Sequence, residues 1–237
     1  MSRKPEYELL QRKGIFDKLK ISNQELAHLG VAWFIFIIAF FPQIFLYSYI
    51  YTDSLNFALM NVSIVAFALG FAFIFHELGH KFAAQYFKAR AEFKLDARGL
   101  IISAVSIALG FYLLMPGATF WESNLSKYSD IRGRVSASGP IVNLHLACFS
   151  LSFFIFAGSP VGTIPWVLYQ FGYISVILNI FLGIFNLLPV WILDGKKIFE
   201  WSEMIWFCYL VMFIIPILAL KVVYPHQTFF NFFFFSI

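Results

Sequence analysis

The sequence predicts an all-α polytopic membrane protein of about five to six transmembrane helices, and three observations carry that reading. Of 237 residues, 60% are hydrophobic and only 13% charged, proportions far from those of a soluble domain. The apolar residues fall in runs of about 20, enough for a helix rising ~1.5 Å per residue to cross ~30 Å of hydrocarbon. The charged residues lie between those runs. The net charge of +4 therefore reads as a topology signal, and no nucleic-acid partner is expected.

The opening, MSRKPEYELLQRKGIFDKLK, is too charged for a signal peptide. Residues 1–22 are expected to be a cytoplasmic or interfacial segment, and residues 23–237 a single integral-membrane domain with its core motifs over 70–197. Ser22 followed three residues later by Glu25 predicts a capping box and a helix starting near Asn23, which carries the first span over 30–51. A second apolar run starts near Asn56, reaches Phe75 and continues without a breaker into HELGH. Further spans are expected at 138–157, 164–188 and 201–223, followed by the aromatic tail PHQTFFNFFFFSI. Cys148 and Cys208 lie inside apolar runs without CxxC spacing and are expected to be buried thiols.

The segment RGLIISAVSIALGFYLLMPGATFW, residues 98–121, is apolar enough to cross but carries Gly110, Pro116 and Gly117 in its second half. If it dips in and returns, every basic residue except Lys221 falls on one side together with the N-terminus, and the positive-inside rule makes that side cytoplasmic. If it crosses, the groups at 127–134 and 196–197 move to the opposite side. Charge bias thus favours a membrane-dipping hairpin or extended segment near 98–121. Non-helical backbone at membrane depth must be covered by protein or line a cavity, so this segment should line something.

His76 and His80 are four residues apart, so on a helix both imidazoles project from one face at a spacing that grips one metal ion. Glu77 lies about 100° round the helix from His76, beside such an ion and placed as a general base for water. Two His and a Glu marking a helix end at the interface are the plainer reading. A catalytic zinc site needs a third protein ligand and an open position. NLLPVWILDGKK, residues 186–197, offers Asp194 at the end of a span, where an ordinary Asp-Gly turn would also account for it. The hairpin topology brings the end of the second span and the end of the 164–188 span to the same side, so charge bias and metal closure require the same arrangement.

HELGH at 76–80, GPIVN at 139–143 and NLLPVWILDG at 186–195, in that order on three hydrophobic segments, resemble the site-2 protease family of intramembrane zinc metalloproteases. The resemblance covers about 70–197. It implies that His76, His80 and Asp194 bind one zinc, that Glu77 drives the water, and that Asn143 assists in the site. It also implies membrane-spanning protein substrates and regulated intramembrane proteolysis. Read from the residues alone, Gly139 and Pro140 form a helix entry. Asn143 one turn in either points its amide into a cavity, toward a substrate carbonyl or oxyanion, or makes an interhelical hydrogen bond. His145 faces away from Asn143 and reads as a packing contact. Asn179, Gly183 and Asn186 share one helical face, a small polar stripe into the bundle that either supports the Asp194 end or packs helices.

Three functional readings stand at this point. The first is an intramembrane zinc endopeptidase cutting membrane-spanning substrates near the cytoplasmic face, in the cell membrane with its N-terminus cytoplasmic. The second is an HExxH membrane protease of another family, with Glu200 or Glu203 as third ligand. The third is a non-catalytic metal-binding scaffold or transporter, for which Glu77 would be dispensable. The oligomeric state leaves no mark in the sequence.

Overall fold

The computed structural model describes residues 20–110, 113–122, 129–157, 162–190 and 192–223. The expected segment at 1–19 and the aromatic tail from 224 onward lie outside the described residues. Among the described residues the chain forms helices α1 (Asn23–Thr52), α2 (Leu55–Tyr86), α3 (Ala97–Ala108), α4 (Ser129–Ala157), α5 (Thr163–Leu187), α6 (Asp194–Trp201) and α7 (Glu203–Val223). Strands β1 (Arg90–Leu95) and β2 (Gly117–Glu122) form an antiparallel ribbon, so the all-α expectation is amended by one short sheet.

Four of these helices, α1, α2, α5 and α7, are long and apolar enough to cross a membrane. Helix α4 has 29 residues but is not among them, since Ser136, Ser138, Asn143, His145 and Ser150 dilute its apolar run. It packs against α2, α5, α6 and α7, and its Ala147, Leu151 and Phe154 join Val176, Ile177 and Ile180 of α5 in the largest core cluster. Ser136, Asn143 and Ser150 are buried against protein, which can satisfy them, whereas His145 is exposed; the outer helices turn apolar faces outward. Cys208 lies on that outward face of α7, and Cys148 on an exposed side of α4. Cys148 and Cys208 are exposed, against expectation. In a membrane-type chain, apolar neighbours do not distinguish a core position from a lipid-facing one.

Ser22 caps α1 as expected, its hydroxyl accepting from the Glu25 N–H at 3.1 Å. Glu25 does not complete the box. Its carboxylate is buried against Lys81 of α2 and accepts the Phe93 N–H of β1 at 3.0 Å. Lys81 also donates to Ala91 O at 3.1 Å. The pair thus occupies the outer edge of β1, where a third strand would otherwise sit. Farther along, Trp33 donates to Ala66 O at 2.7 Å and lies over Gly70, where a Cβ would meet its indole. That close approach locks α1 to α2.

The 98–121 segment goes out and returns. Asp96 caps α3 by accepting from Gly99 N at 3.0 Å, and the chain comes back through residues 113–116 into β2, with Leu95 opposite Gly117 and Arg90 opposite Glu122. Helix α3, at ~18 Å, is too short to cross. Its serines serve the returning backbone: Ser103 Oγ accepts from Met115 N at 2.8 Å, and Ser106 Oγ donates to Leu113 O at 2.9 Å. Between α5 and α6, Gly195 sits where any Cβ would strike Leu187 O, and Trp206 Nε1 donates to that carbonyl at 2.6 Å. This elbow between α5 and α6 sets Asp194 in the first turn of α6.

Candidate active site

Helix α2 runs unbroken through HELGH, so His76 and His80 project from one face, edge to face, with ring centroids 4.7 Å apart. Each ring is fixed from behind. His76 Nδ1 lies 2.6 Å from Asn143 Oδ1, and His80 Nδ1 lies 2.8 Å from Val135 O, both on α4. With each Nδ1 donating to an oxygen, each Nε2 is left with a lone pair. The two Nε2 atoms are 3.0 Å apart, and Asp194 Oδ2 is 2.9 Å from that of His80 and 3.5 Å from that of His76. Among the described residues these are the His, Cys, Asp or Glu side chains that cluster as a metal site would.

Three lone-pair atoms converging at this distance repel one another unless a cation is shared among them. Donor atoms on a tetrahedral zinc at ~2.0–2.1 Å are about 3.3 Å from each other, and the observed 2.9–3.5 Å triangle fits that size. Burial alone would push the Asp194 carboxyl up. The positive charge of a protonated His80 beside it and Lys197 at 3.6 Å outweigh that and hold Asp194 well below the usual carboxylate range. A single shared proton would relieve that repulsion in the metal-free protein, and a metal ion would do so in its place. Gly139 makes room, because a Cβ there would meet His80 Nε2 and, at 2.6 Å, His76 Cε1.

Glu77 lies beside this triangle on α2, and Thr119 of β2 donates to its Oε2 at 2.8 Å and to its backbone carbonyl at 3.1 Å. A cavity of about 740 Å³, within the usual range for ligand pockets, opens onto it. Phe36 of α1, Phe73 of α2 and Phe181 and Phe185 of α5 wall its apolar part, with Glu77 and Asp194 in the polar part. Residues 117–121 of β2 line it as well. The segment expected to line something does so.

Asn143 stands elsewhere than the cavity-facing reading expects. It is fully buried, its oxygen is against His76, and its Nδ2 donates to Ala72 O at 3.1 Å and Asn179 Oδ1 at 2.9 Å. It does not line the cavity; the interhelical hydrogen bond is the arrangement found. Glu200 and Glu203 are exposed and outside the His–His–Asp cluster, with Glu200 4.0 Å from Lys196. His145 is exposed and hydrogen-bonds its own helix at Ile141 O. The polar stripe on α5 divides: Asn179 meets Asn143, Gly183 admits the ring of Phe213, and Asn186 lines the cavity. Thr119, Val135 and the Glu25–Lys81 pair are not singled out by the sequence.

Apolar helices long enough to span, gathered round a buried His–His–Asp cluster with a glutamate beside it, define a membrane metalloprotease. The family model described as "Peptidase family M50" matches residues 159–206. "Putative zinc metalloprotease MJ0611" of Methanocaldococcus jannaschii is 32% identical over 154 residues, covering 64% of this chain and 76% of that protein. The chain belongs to peptidase family M50, the site-2 protease family. No solved structure matches it.

Proposed function

We propose that the chain is an intramembrane zinc endopeptidase that hydrolyses peptide bonds of membrane-spanning proteins near the cytoplasmic face. The observation that carries this is the convergence of His76 Nε2, His80 Nε2 and Asp194 Oδ2 within 3.5 Å of one another. These three residues would hold one zinc per chain. Bound there, zinc supplies a Lewis acid for the scissile carbonyl and makes water acidic near neutral pH.

The chain's own groups supply the rest. Glu77, its Oε2 anchored by Thr119, takes a proton from the attacking water at Oε1 and delivers it to the leaving amide nitrogen. Asn143 positions His76. A helical amide is shielded by its own hydrogen bonds, so the substrate must unwind before attack. Among the described residues β2 pairs only with β1, whose other edge is closed by Glu25 and Lys81, and β2 lines the cavity. An unwound substrate segment adds to β2 as a strand, with the apolar cavity accepting its side chains.

The ribbon, the N-terminal end of α1 and the Asp194 elbow lie at one end of the bundle, held by the Glu25–Lys81 and His80–Asp194 contacts. Lys88, Arg90, Lys94, Arg98, Lys196 and Lys197 belong to segments at that end, which we assign to the cytoplasm. The central α4 would be a fifth span.

The experiment is cleavage of a panel of single-span substrates by the purified protein with and without a chelator, alongside its zinc content. His80→Ala and Asp194→Ala should lose most of the metal, Glu200→Ala and Glu203→Ala should keep it, and Glu77→Gln should keep metal and fold. Cleavage by Glu77→Gln should fall by ~10²-fold to 10⁴-fold. Full cleavage by that variant would remove Glu77 as the base, bound zinc with no cleavage even by the wild type would point to the scaffold or transporter reading, and full zinc in Asp194→Ala would move the third ligand elsewhere.

A further inference from the structure

His76 offers Nε2 to a cation only while its own proton stays on Nδ1. Nδ1 faces Asn143 Oδ1 at 2.6 Å, which holds the proton there. An Asn143 amide rotated by 180° would present N–H instead, draw a lone pair to Nδ1 and drive the imidazole proton to Nε2, where it blocks ligation. The orientation of one amide therefore decides whether the triangle can form.

What prevents that rotation lies on the far side of Asn143. Its Nδ2 donates to Ala72 O and to Asn179 Oδ1. The first is a backbone carbonyl and can only accept. The second belongs to another amide, whose own direction is fixed because its Nδ2 donates to Ser175 O at 2.8 Å, again a carbonyl, and lies 3.2 Å from Ser175 Oγ. Ser175 Oγ in turn meets Ser150 Oγ at 2.8 Å. Asn143, Asn179 and Ser175 have no exposed surface and Ser150 has 2%, so water cannot take over a lost partner. A rotated Asn143 would put its oxygen against two acceptors.

We propose that Asn179 is a positioning residue: acting through Asn143, it sets the tautomer of His76 and keeps Nε2 open to a metal ion. The tautomer is a property of the metal-free protein; only its consequence for zinc rests on the function proposed above. Losing one of the two acceptors that orient Asn143 should raise the population of the wrong orientation about tenfold. Loss of a partner behind a ligating histidine typically weakens metal binding ~10-fold to 100-fold.

The test uses the full chain carrying ¹⁵N-histidine, with the His76 signals assigned from a His76→Gln control. Wild type, Asn179→Leu and Asn179→Asp are compared without metal, and zinc Kd is then measured by competition with a chelator. Asn179→Ala serves should the leucine variant fail to fold. The protonated carboxyl of Asn179→Asp keeps a carbonyl toward Asn143 and a donor toward Ser175. The wild type should show His76 with its proton on Nδ1, Asn179→Leu a mixture with the Nε2–H form and a zinc Kd raised ~10-fold to 100-fold, and Asn179→Asp a return toward wild type. An unchanged tautomer and Kd in the leucine or alanine variant, with only the melting temperature lowered, would reduce Asn179 to helix glue and overturn the inference. A tautomer that shifts in a protein whose wild type takes up no zinc would support the inference and sink the metal reading instead.

Discussion

Thr119 on the returning strand donates to the Glu77 carboxylate at 2.8 Å and to the Glu77 backbone carbonyl at 3.1 Å. One threonine thus joins the ribbon that would receive the substrate to the proposed base. Thr119→Val keeps the shape but releases Oε2, so the carboxylate gains rotamer freedom and loses its direction. Peptide cleavage should fall about 10-fold to 100-fold with zinc content unchanged, as for other partners behind a reacting group. Thr119→Ser should restore most of it. Equal rates in Thr119→Val and wild type would mean that Glu77 is oriented by something else.

Gly139 is where the GPIVN motif meets the metal triangle. A methyl group on it would meet His80 Nε2 and the Cε1 of both imidazoles. Neither ring can retreat, since Asn143 Oδ1 and Val135 O hold their other nitrogens. Gly139→Ala should therefore raise the zinc Kd by at least ~100-fold, beyond the usual effect of a lost outer partner because the obstruction falls on the ligand atoms themselves. Zinc titration with a competing chelator measures it. Gly30, which has nothing within 4 Å of its added Cβ, is the control, and Gly30→Ala should bind zinc like wild type.

The parts of this site that the sequence made legible depend on local geometry or on a global count. A four-residue spacing puts His76 and His80 together on any helix, and the charge bias chose the topology that closes the site with Asp194. The direction of the Asn143 amide was not legible, because it is decided by Ala72, Asn179 and Ser175, which only the packing of α2, α4 and α5 brings together. The short strands escaped notice for a similar reason: six residues such as RAEFKL have no strong period of their own and become a strand by pairing with Gly117–Glu122. Lys81 read as one more topology charge, since nothing nearby in the chain reveals a partner 56 residues away.

The antiparallel register of the ribbon gives a topology prediction. Strand β2 ends where β1 begins, Glu122 opposite Arg90, so Glu122 should lie on the same side as Arg90, and opposite the α1–α2 turn at Asp53. In a background of Cys148→Ala and Cys208→Ala, single cysteines at Glu122 and Asp53 should react with an impermeant thiol reagent from opposite faces, the first from the cytoplasm. Both residues are exposed. Labelling from one face at both positions would mean that the 98–121 segment crosses, contrary to the pairing of its ends.

Glu25 and Lys81 are 1% and 2% exposed and form an ion pair between α1, α2 and β1. Each also satisfies the outer edge of β1, Glu25 through Phe93 N and Lys81 through Ala91 O. Taking such a pair out of water cancels much of its attraction, so its net contribution is modest, but removing one partner strands the other charge and costs about 3–5 kcal/mol. Lys81→Met should accordingly lower the melting temperature by roughly 10 °C, taking ~2–4 °C per kcal/mol for a chain of this size. Glu25→Gln keeps an oxygen for Phe93 N, yet leaves the ammonium uncompensated, and should cost a similar amount. The double variant Glu25→Gln, Lys81→Met leaves no buried charge and should recover at least half of the loss, a coupling that separate packing defects would not give. Melting curves of the four proteins in one detergent or lipid mixture measure it, and purely additive losses would show that the two side chains stabilise the fold independently. Cleavage gives a second readout. Because the pair holds the ribbon that carries Thr119, each single variant should lose activity at temperatures where it is still folded, and the double variant should regain part of it.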